Sequence, residues 1–272
     1  KAVPLKVMEL EIVDLSFVDA IRADSGASAT LAVLNRVSMT MARVKVYELT
    51  RTSANNFSFQ PVNYAITELT SDVIGLMRVS QPRGGFLIYS PERIIYTNPQ
   101  ANIIRKLVIS PTFFTCCCAV DGEGFRFLFG SSSGEIYISL LVCDGSNKVS
   151  QVKFERLGRT AVPSCLTYVD DGCVYVGSNH GDSSLIQLRT EAVKSTGNYF
   201  STLQTFPSLA PMTDFIVTRP NSASEQSVLI GAGGSAHEGS LKRLCSGLEV
   251  NCLLSLDLEC DFKATRLLSV IA

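Results

Sequence analysis

The chain has 272 residues, enough for one large domain or two small ones, and 46% of them are hydrophobic, which can fill a substantial core. The formal net charge of −1, from 24 Lys and Arg against 25 Asp and Glu, provides no global field that would attract nucleic acid or an anionic membrane. Direct DNA binding is therefore disfavoured. The longest strongly apolar run, residues 113–120, is far too short to span a bilayer, so no transmembrane helix is expected.

The first part of the chain predicts a group of short strands. Residues 10–18 and 42–49 alternate apolar and polar positions, which is typical of strands with one buried face. Residues 29–34 are a mainly apolar run. Residues 64–69 are expected to form the last strand of the unit. Residues 24–28 are expected to form the turn between the first two strands.

The second and third units repeat this pattern. The second predicts strands at 72–79, 86–89 and 93–96, and the third predicts strands at 113–120, 125–129 and 135–142. The third unit has glycine-rich connections at 121–124 and 130–134, so each pair of strands is expected to form a hairpin.

The fourth unit, residues 165–188, has the clearest pattern. It reads as three strands separated by Asp171-Gly172 and by the segment from Gly177 to Gly181. These turn sequences supply the positive φ angles that tight hairpins require. The unit therefore predicts an antiparallel meander.

The fifth unit predicts strands at 209–217, 227–230 and 239–245, an outer strand at 250–258, and the first strand of a sixth unit at 264–271. Apolar runs in the five units end at Asn35, Tyr89, Gly130, Gly177 and Gly231, which gives intervals of 54, 41, 47 and 54 residues. Such a period, with several strands and no convincing helix in each unit, predicts an all-β fold: a β-propeller of four-stranded antiparallel blades. Because an open ring leaves apolar flanks exposed, we expect residues 1–272 to be a partial propeller from a longer chain.

Several motifs resemble catalytic or metal sites but are better explained by the strands. Residues 130–134 match a nucleophile elbow and residues 231–236 match a dinucleotide fingerprint, yet a strand, not a helix, is expected after each. In the Cys116-Cys117-Cys118 run, consecutive residues of a strand face opposite sides, so at most Cys116 and Cys118 could share a metal site. The nine cysteines lie mostly in apolar runs and predict buried free thiols in a reducing compartment.

No set of residues argues strongly for catalysis, and no metal or other cofactor is expected. Glu135, Asp182 and Glu238 occupy matching loop positions and leave one alternative open, a propeller hydrolase with paired carboxylates.

Residues 165–172, 174–185 and 237–241 resemble the large subunit of the UV-damaged DNA-binding protein and its family of propeller scaffolds. The resemblance is strongest over residues 155–249 and is less close to the related messenger-RNA cleavage and splicing factor 3b scaffolds. It implies most of the first of three seven-bladed propellers, with about five blades and the start of a sixth. It also implies a non-enzymatic adaptor that connects a cullin-4 ubiquitin ligase to WD-repeat substrate receptors in DNA-damage repair.

In that family the first and third propellers form the cleft that binds the receptor, and the second propeller contacts the cullin. The resemblance therefore implies that nucleic acid is approached only through a partner, and it implies a nuclear and cytoplasmic location. A propeller scaffold in RNA processing is the alternative function within this family.

Matching positions predict a protein-binding surface, with Tyr168 as the expected anchor. Asp171 stands where the family tends to have Asn, and Asn179 and His180 replace a basic and apolar pair, which leaves the identity of the receptor open. An inter-blade core position is the alternative for Tyr168. The predicted surface residues are Tyr168, Asp171, Asn179, His180, Pro211, Met212, Ser235 and His237.

Overall fold

The computed structural model describes residues 9–18, 29–51, 57–99, 101–145, 147–209, 211–218, 228–234 and 239–245. Within these ranges nineteen strands form five antiparallel sheets, and no helix is present. The described residues accordingly offer no helix long and apolar enough to cross a membrane. The predicted all-β fold class is confirmed.

The first two sheets are four-stranded meanders in which consecutive strands pair. The first contains β1 (Ile12–Val18), β2 (Ala29–Arg36), β3 (Met41–Arg51) and β4 (Phe57–Thr70). The second contains β5 (Gly75–Arg78), β6 (Phe86–Tyr89), β7 (Arg93–Asn98) and β8 (Ile103–Val108).

The remaining sheets have the same topology. The third contains β9 (Phe114–Ala119), β10 (Arg126–Ser131), β11 (Glu135–Cys143) and β12 (Val149–Arg159). The fourth contains β13 (Cys165–Tyr168), β14 (Cys173–Gly177), β15 (Ser183–Leu188) and β16 (Phe200–Phe206). The described part of the fifth contains β17 (Met212–Thr218), β18 (Val228–Gly233) and β19 (Ser240–Cys245).

The second strand of each inner sheet is largely apolar because both of its faces are buried. In β6, Phe86 and Ile88 pack against the first sheet, whereas Leu87 and Tyr89 pack against the third. The same alternation splits β10 between the second and fourth sheets. Side chains along a strand point to opposite faces in turn, so a continuous apolar run is what a strand covered on both sides requires.

Three apolar clusters therefore join the first four sheets in succession. Leu34 and Val44 represent the cluster between the first and second sheets, Phe114 and Phe129 the next, and Val176 the one between the third and fourth. Face-to-face packing of four-stranded meanders in chain order is the architecture of β-propeller blades, so the described residues form a partial β-propeller.

Polar contacts between the inner strands and linkers reinforce this packing. The backbone N–H of Leu76 donates to Asp14 Oδ2 at 2.8 Å, which ties β1 to β5. Lys242 in the fifth sheet pairs with Asp182 in the fourth and also donates to the carbonyl of Ser208. These contacts link sheets that are consecutive in the chain.

The five predicted units are confirmed, but the outer strands of three of them were not predicted. These are β8, β12 and β16, which carry many exposed polar residues and pair through only one edge. β5 also begins later than predicted, at Gly75. The predicted turn at 24–28 and the predicted strands at 250–258 and 264–271 lie outside the described residues.

Six cysteines of the described part of the chain are free thiols. Cys116, Cys117, Cys118, Cys143 and Cys173 are partly buried, whereas Cys165 is exposed. The prediction of burial is therefore wrong for Cys165, which is the exposed first residue of β13, an edge strand that pairs within its sheet only with β14.

Neighbouring phenylalanines at the start of β9 allow a matched test of the packing. Phe114 is 7% exposed and its ring contacts those of Tyr89, Phe129 and Phe154, whereas Phe113 is 67% exposed. We expect Phe114→Ala to lower the free energy of unfolding by about 3–5 kcal/mol, since it leaves a cavity between two sheets. Phe113→Ala should change it by less than about 0.5 kcal/mol. Equal effects of the two variants in denaturant unfolding would contradict the inter-sheet packing.

Candidate functional site

The loops of the propeller lie on two opposite faces. We call the linker face the one formed by the connections between sheets and by the loops between the second and third strands. Its described residues are 9–11, 37–40, 71–74, 90–92, 109–113, 132–134, 160–164, 178–182, 207–209, 211, 234 and 239. The turn face carries the other loops, with described residues 79–85, 99, 101–102, 120–125, 144–145, 147–148, 169–172 and 189–199.

Tyr168 and Asp171 lie on the turn face, in the hairpin between β13 and β14. The N–H of Cys173 donates to the carbonyl of Asp170 at 2.7 Å, and φ is 46° at Asp171 and 76° at Gly172. Two successive positive φ angles are the mark of the tight hairpin turn that Asp-Gly predicts. The side chain of Asp171 is exposed at its tip.

Tyr168 is tied into this hairpin. The N–H of Gly172 donates to the Tyr168 hydroxyl oxygen at 2.9 Å. The ring is partly buried against the apolar cluster between the third and fourth sheets. The packing therefore favours the inter-blade interpretation of Tyr168, while its role as a binding anchor stays a prediction.

Asn179 and His180 lie at the other end of the same sheet, on the linker face. Ser178 organises their loop, because its hydroxyl donates to the Val162 carbonyl at 2.7 Å and accepts from the N–H groups of His180 and Gly181, each at 3.1 Å. The N–H of Asn179 donates to Ser164 Oγ at 3.0 Å. The side chains of Asn179 and His180 are exposed on a loop that the backbone holds in place.

Pro211 and Met212 lie on the linker face next to that loop. The Pro211 carbonyl accepts from the N–H of Gly234 at 2.9 Å, and Met212 is 41% exposed. Asp182 accepts from the N–H of Ser208 at 2.9 Å and binds Lys242, and the hydrogen bond from Lys242 is the main cause of its lowered pKa. These contacts connect the loops of the fourth and fifth sheets.

The structure thus divides the predicted surface between two faces. The register pairs Cys165 with Gly177 and Tyr168 with Val174, so the turn at 169–172 and the loop at 178–182 are at opposite ends of the hairpin. The expectation that Tyr168 and Pro211 share one surface is therefore wrong. Ser235 and His237 lie outside the described residues.

Exposed apolar side chains on the linker face were missed by the sequence reasoning. Met39 is 93% exposed, Leu10 is 82% exposed and Phe113 is 67% exposed. Met39 sits in a loop fixed at both sides, where the N–H of Val37 donates to the Met41 carbonyl at 2.9 Å and Ser71 Oγ donates to the Met39 carbonyl at 2.6 Å. The sequence does contain a signal for this surface, because Val37-Ser38-Met39 places apolar residues in a loop between two strands.

The residues 130–134 that match a nucleophile elbow form the hairpin between β10 and β11. The N–H of Gly134 donates to the Ser131 carbonyl at 3.0 Å, φ of Gly134 is 84°, and a strand follows. Residues 231–234 lie in and after β18, with β19 as the next described element. Within the residues that the structure describes, neither segment opens a helix, as the sequence predicted.

The candidate carboxylates are held by cations. Glu135 accepts from Tyr137 Oη at 2.6 Å and pairs with Arg156 at 2.8 Å, and these hydrogen bonds, that from Tyr137 foremost, lower its pKa. Asp182 is engaged by Lys242. A general acid in a carboxylate pair needs a raised pKa, so neither group is prepared for that role. Glu238 lies outside the described residues.

The Cys116–Cys118 run alternates as predicted. Cys116 and Cys118 pack against the cluster between the third and fourth sheets, and Cys117 packs against the cluster between the second and third. Burial raises the pKa of Cys116 to about 11 and that of Cys118 to about 12. The described residues hold no group of three or more His, Cys, Asp or Glu side chains that could bind a metal ion.

A family model for the RSE1/DDB1/CPSF1 first beta-propeller matches residues 1–207. The chain belongs to this family. It is 28% identical over 262 residues to DNA damage-binding protein 1 of Drosophila melanogaster, and 29% identical over 259 residues to DNA damage-binding protein 1b of Arabidopsis thaliana. Each alignment covers 95% of this chain, but only 22% of the fly protein and 23% of the plant protein. The chain thus spans about a fifth of the length of these relatives, and the predicted family resemblance is confirmed.

The contacts of Tyr168 predict a graded effect on stability. Tyr168→Phe removes the acceptor for the Gly172 N–H and should lower the free energy of unfolding by about 1 kcal/mol. Tyr168→Ala also removes the ring from the inter-sheet cluster and should cost about 2–3 kcal/mol in total. An alanine variant as stable as the native protein in denaturant unfolding would show that the ring is not part of the core.

The lowered pKa of Glu135 predicts a pH-dependent contribution to stability. A carboxyl group whose pKa falls on folding stabilises the native state above its unfolded value, here 4.5, and loses that contribution as pH falls through the folded value. The native protein should therefore be more stable than Glu135→Gln at neutral pH, and the difference should shrink below pH 4.5. Glu155→Gln, at an exposed position on β12, is the control. A difference that stays constant across the acidic range would contradict this assignment.

Proposed function

We propose that the chain is a non-catalytic propeller scaffold that binds other proteins through its linker face. In this proposal it contributes part of the cleft by which a cullin-4 RING ubiquitin-ligase adaptor holds WD-repeat substrate receptors, in the recognition and repair of damaged DNA. Support comes from the family to which the chain belongs and from relatives that are named DNA damage-binding protein 1.

The observation that carries the proposal is the set of exposed apolar side chains on fixed loops of the linker face. Leu10, Met39 and Phe113 are mostly exposed, and Met212 is less so. Apolar side chains on loops already ordered by backbone hydrogen bonds lose little conformational entropy on binding. Such a surface suits an amphipathic helix that lays its apolar side onto the propeller.

The proposed partners follow from the same role. WD-repeat receptors contact this propeller, and cullin-4 is reached through another propeller of the full-length chain. Nucleic acid is approached through a partner, consistent with a formal net charge of −1. The protein acts in the nucleus and cytoplasm without a cofactor and without binding a membrane.

A propeller scaffold in RNA processing is the second candidate, because the matching family also includes the RSE1 and CPSF1 propellers. The relatives named DNA damage-binding protein 1 favour the adaptor. The propeller hydrolase is disfavoured because Glu135 and Asp182 are each paired with a cation and have lowered pKa values.

Affinity purification of the intact protein from cells tests the proposal. We expect cullin-4 and WD-repeat proteins to co-purify with it. Met39→Glu combined with Phe113→Glu places charges on the linker face and should reduce the recovery of WD-repeat proteins by about tenfold or more, since one buried unpaired charge costs several kcal/mol. Recovery of cullin-4 should not change.

Val169→Glu is the matched control, because Val169 is 61% exposed on the turn face. It should leave both partners in place. Recovery of polyadenylation or splicing factors instead of cullin-4 would favour the second candidate. Equal loss of WD-repeat proteins in the linker-face and turn-face variants would contradict the assignment of the linker face.

A further inference from the structure

A groove of about 390 Å³ opens on the turn face between the second and third sheets. Its walls include Arg83 from the loop before β6, Tyr96 and Asn98 from β7, Asn147 and Lys148 from the loop before β12, and Val149 at the start of β12. Arg105 Nε on β8 donates to the Ser150 carbonyl on β12 at 2.9 Å, which ties the two sheets together. The volume is within the range of about 300–1,000 Å³ that is typical of ligand sites.

The deepest cation of the groove is Arg83, whose side chain is only 5% exposed. Its guanidinium carbon lies 3.1 Å from the centroid of the Phe125 ring. Nη1 donates to the Glu123 carbonyl and Nη2 donates to Asn147 Oδ1, each at 3.1 Å. Stacking and two hydrogen bonds therefore fix the charge in one position.

The backbone around Arg83 is also fixed. Asn98 Nδ2 donates to the Arg83 carbonyl at 2.6 Å, and Tyr96 Oη donates to the Gly84 carbonyl at 3.0 Å. Arg83 Nε is buried and has no hydrogen-bond partner. A buried donor without a hydrogen-bond partner lowers the stability of the folded state. A contribution to folding therefore does not by itself explain why this cation is buried.

The groove has a positive local charge in a chain that is nearly neutral overall. Arg83 and Lys148 are the charged residues among its described walls, and no carboxylate lines it. Glu123 Oε2 lies 3.5 Å from Arg83 Nη1, but its side chain is 70% exposed and it lines the neighbouring groove with Asp121 and Phe125. Lys148 is exposed at the mouth of the groove, and its backbone N–H donates to Asp144 Oδ1 at 3.0 Å.

We propose that this groove binds an acidic peptide segment, with carboxylate side chains facing Arg83 in the interior and Lys148 at the mouth. Asn147 Oδ1 accepts from Arg83, so the Asn147 amide NH₂ is the donor that it presents to the ligand. Two cations at different depths, over a wall that includes Tyr96 and Val149, suit an extended chain with successive acidic residues better than one small ion. The site lies on the turn face and does not depend on the linker-face proposal.

Fluorescence anisotropy with labelled hexaglutamate tests this site on the intact protein. Hexaglutamate should bind, its affinity should fall as salt is added, and labelled hexaglutamine should bind at least about tenfold more weakly. Lys148→Glu should weaken hexaglutamate binding by about tenfold or more. Lys148→Arg keeps the positive charge, so its affinity for hexaglutamate should stay within about threefold of that of the native protein. Both substitutions are at an exposed position, so neither should affect folding.

Lys153→Glu is the matched control, because Lys153 is exposed on β12, the strand that follows Lys148, but does not line the groove. It should change the affinity by less than about twofold. Equal weakening by the two charge reversals would overturn the proposal, since it would show a general charge effect. Equal binding of hexaglutamine, or displacement of hexaglutamate by an equal concentration of free glutamate or inorganic phosphate, would also overturn the assignment to an acidic peptide.

Discussion

Burial of both faces of the second strand in each inner sheet is the constraint on which this structure depends. Phe86 and Ile88 belong to one inter-sheet cluster, while Leu87 and Tyr89 belong to the next. A four-stranded sheet with two apolar faces cannot cover both by itself, so each blade is stable only between neighbours. The same constraint fixes the positions of the loops, because sheets that must stack face to face bring equivalent loops to the same face.

The sequence predicts the inner three strands of most blades because their residues carry the signal of burial. Continuous apolar runs such as 86–89, and Asp-Gly turns such as 171–172, depend only on residues close in the chain. The outer strands β8, β12 and β16 are exposed along much of their length and depend on pairing with one partner strand. A polar strand at an edge has no periodic signal that separates it from a loop.

The candidate surface could be predicted only as a set of loop residues, because the face on which each loop lies depends on the register. Tyr168 and Asn179 are close in sequence but lie at opposite ends of one hairpin. Phe113 and Phe114 have the same side chain, yet one is exposed and the other is buried among aromatic rings. The guanidinium of Arg83 reaches Phe125, Glu123 and Asn147 across two sheets, which no local pattern encodes.

The three consecutive cysteines of β9 have a consequence for how loosening of the propeller could be followed. Cys117 packs in the apolar cluster shared with the preceding blade, whereas Cys116 and Cys118 pack in the cluster shared with the following blade. Such partly buried thiols react faster with thiol-modifying reagents when the covering side chains separate. The relative labelling rates of these adjacent residues would therefore show which of the two inter-sheet clusters opens first when the propeller is destabilised.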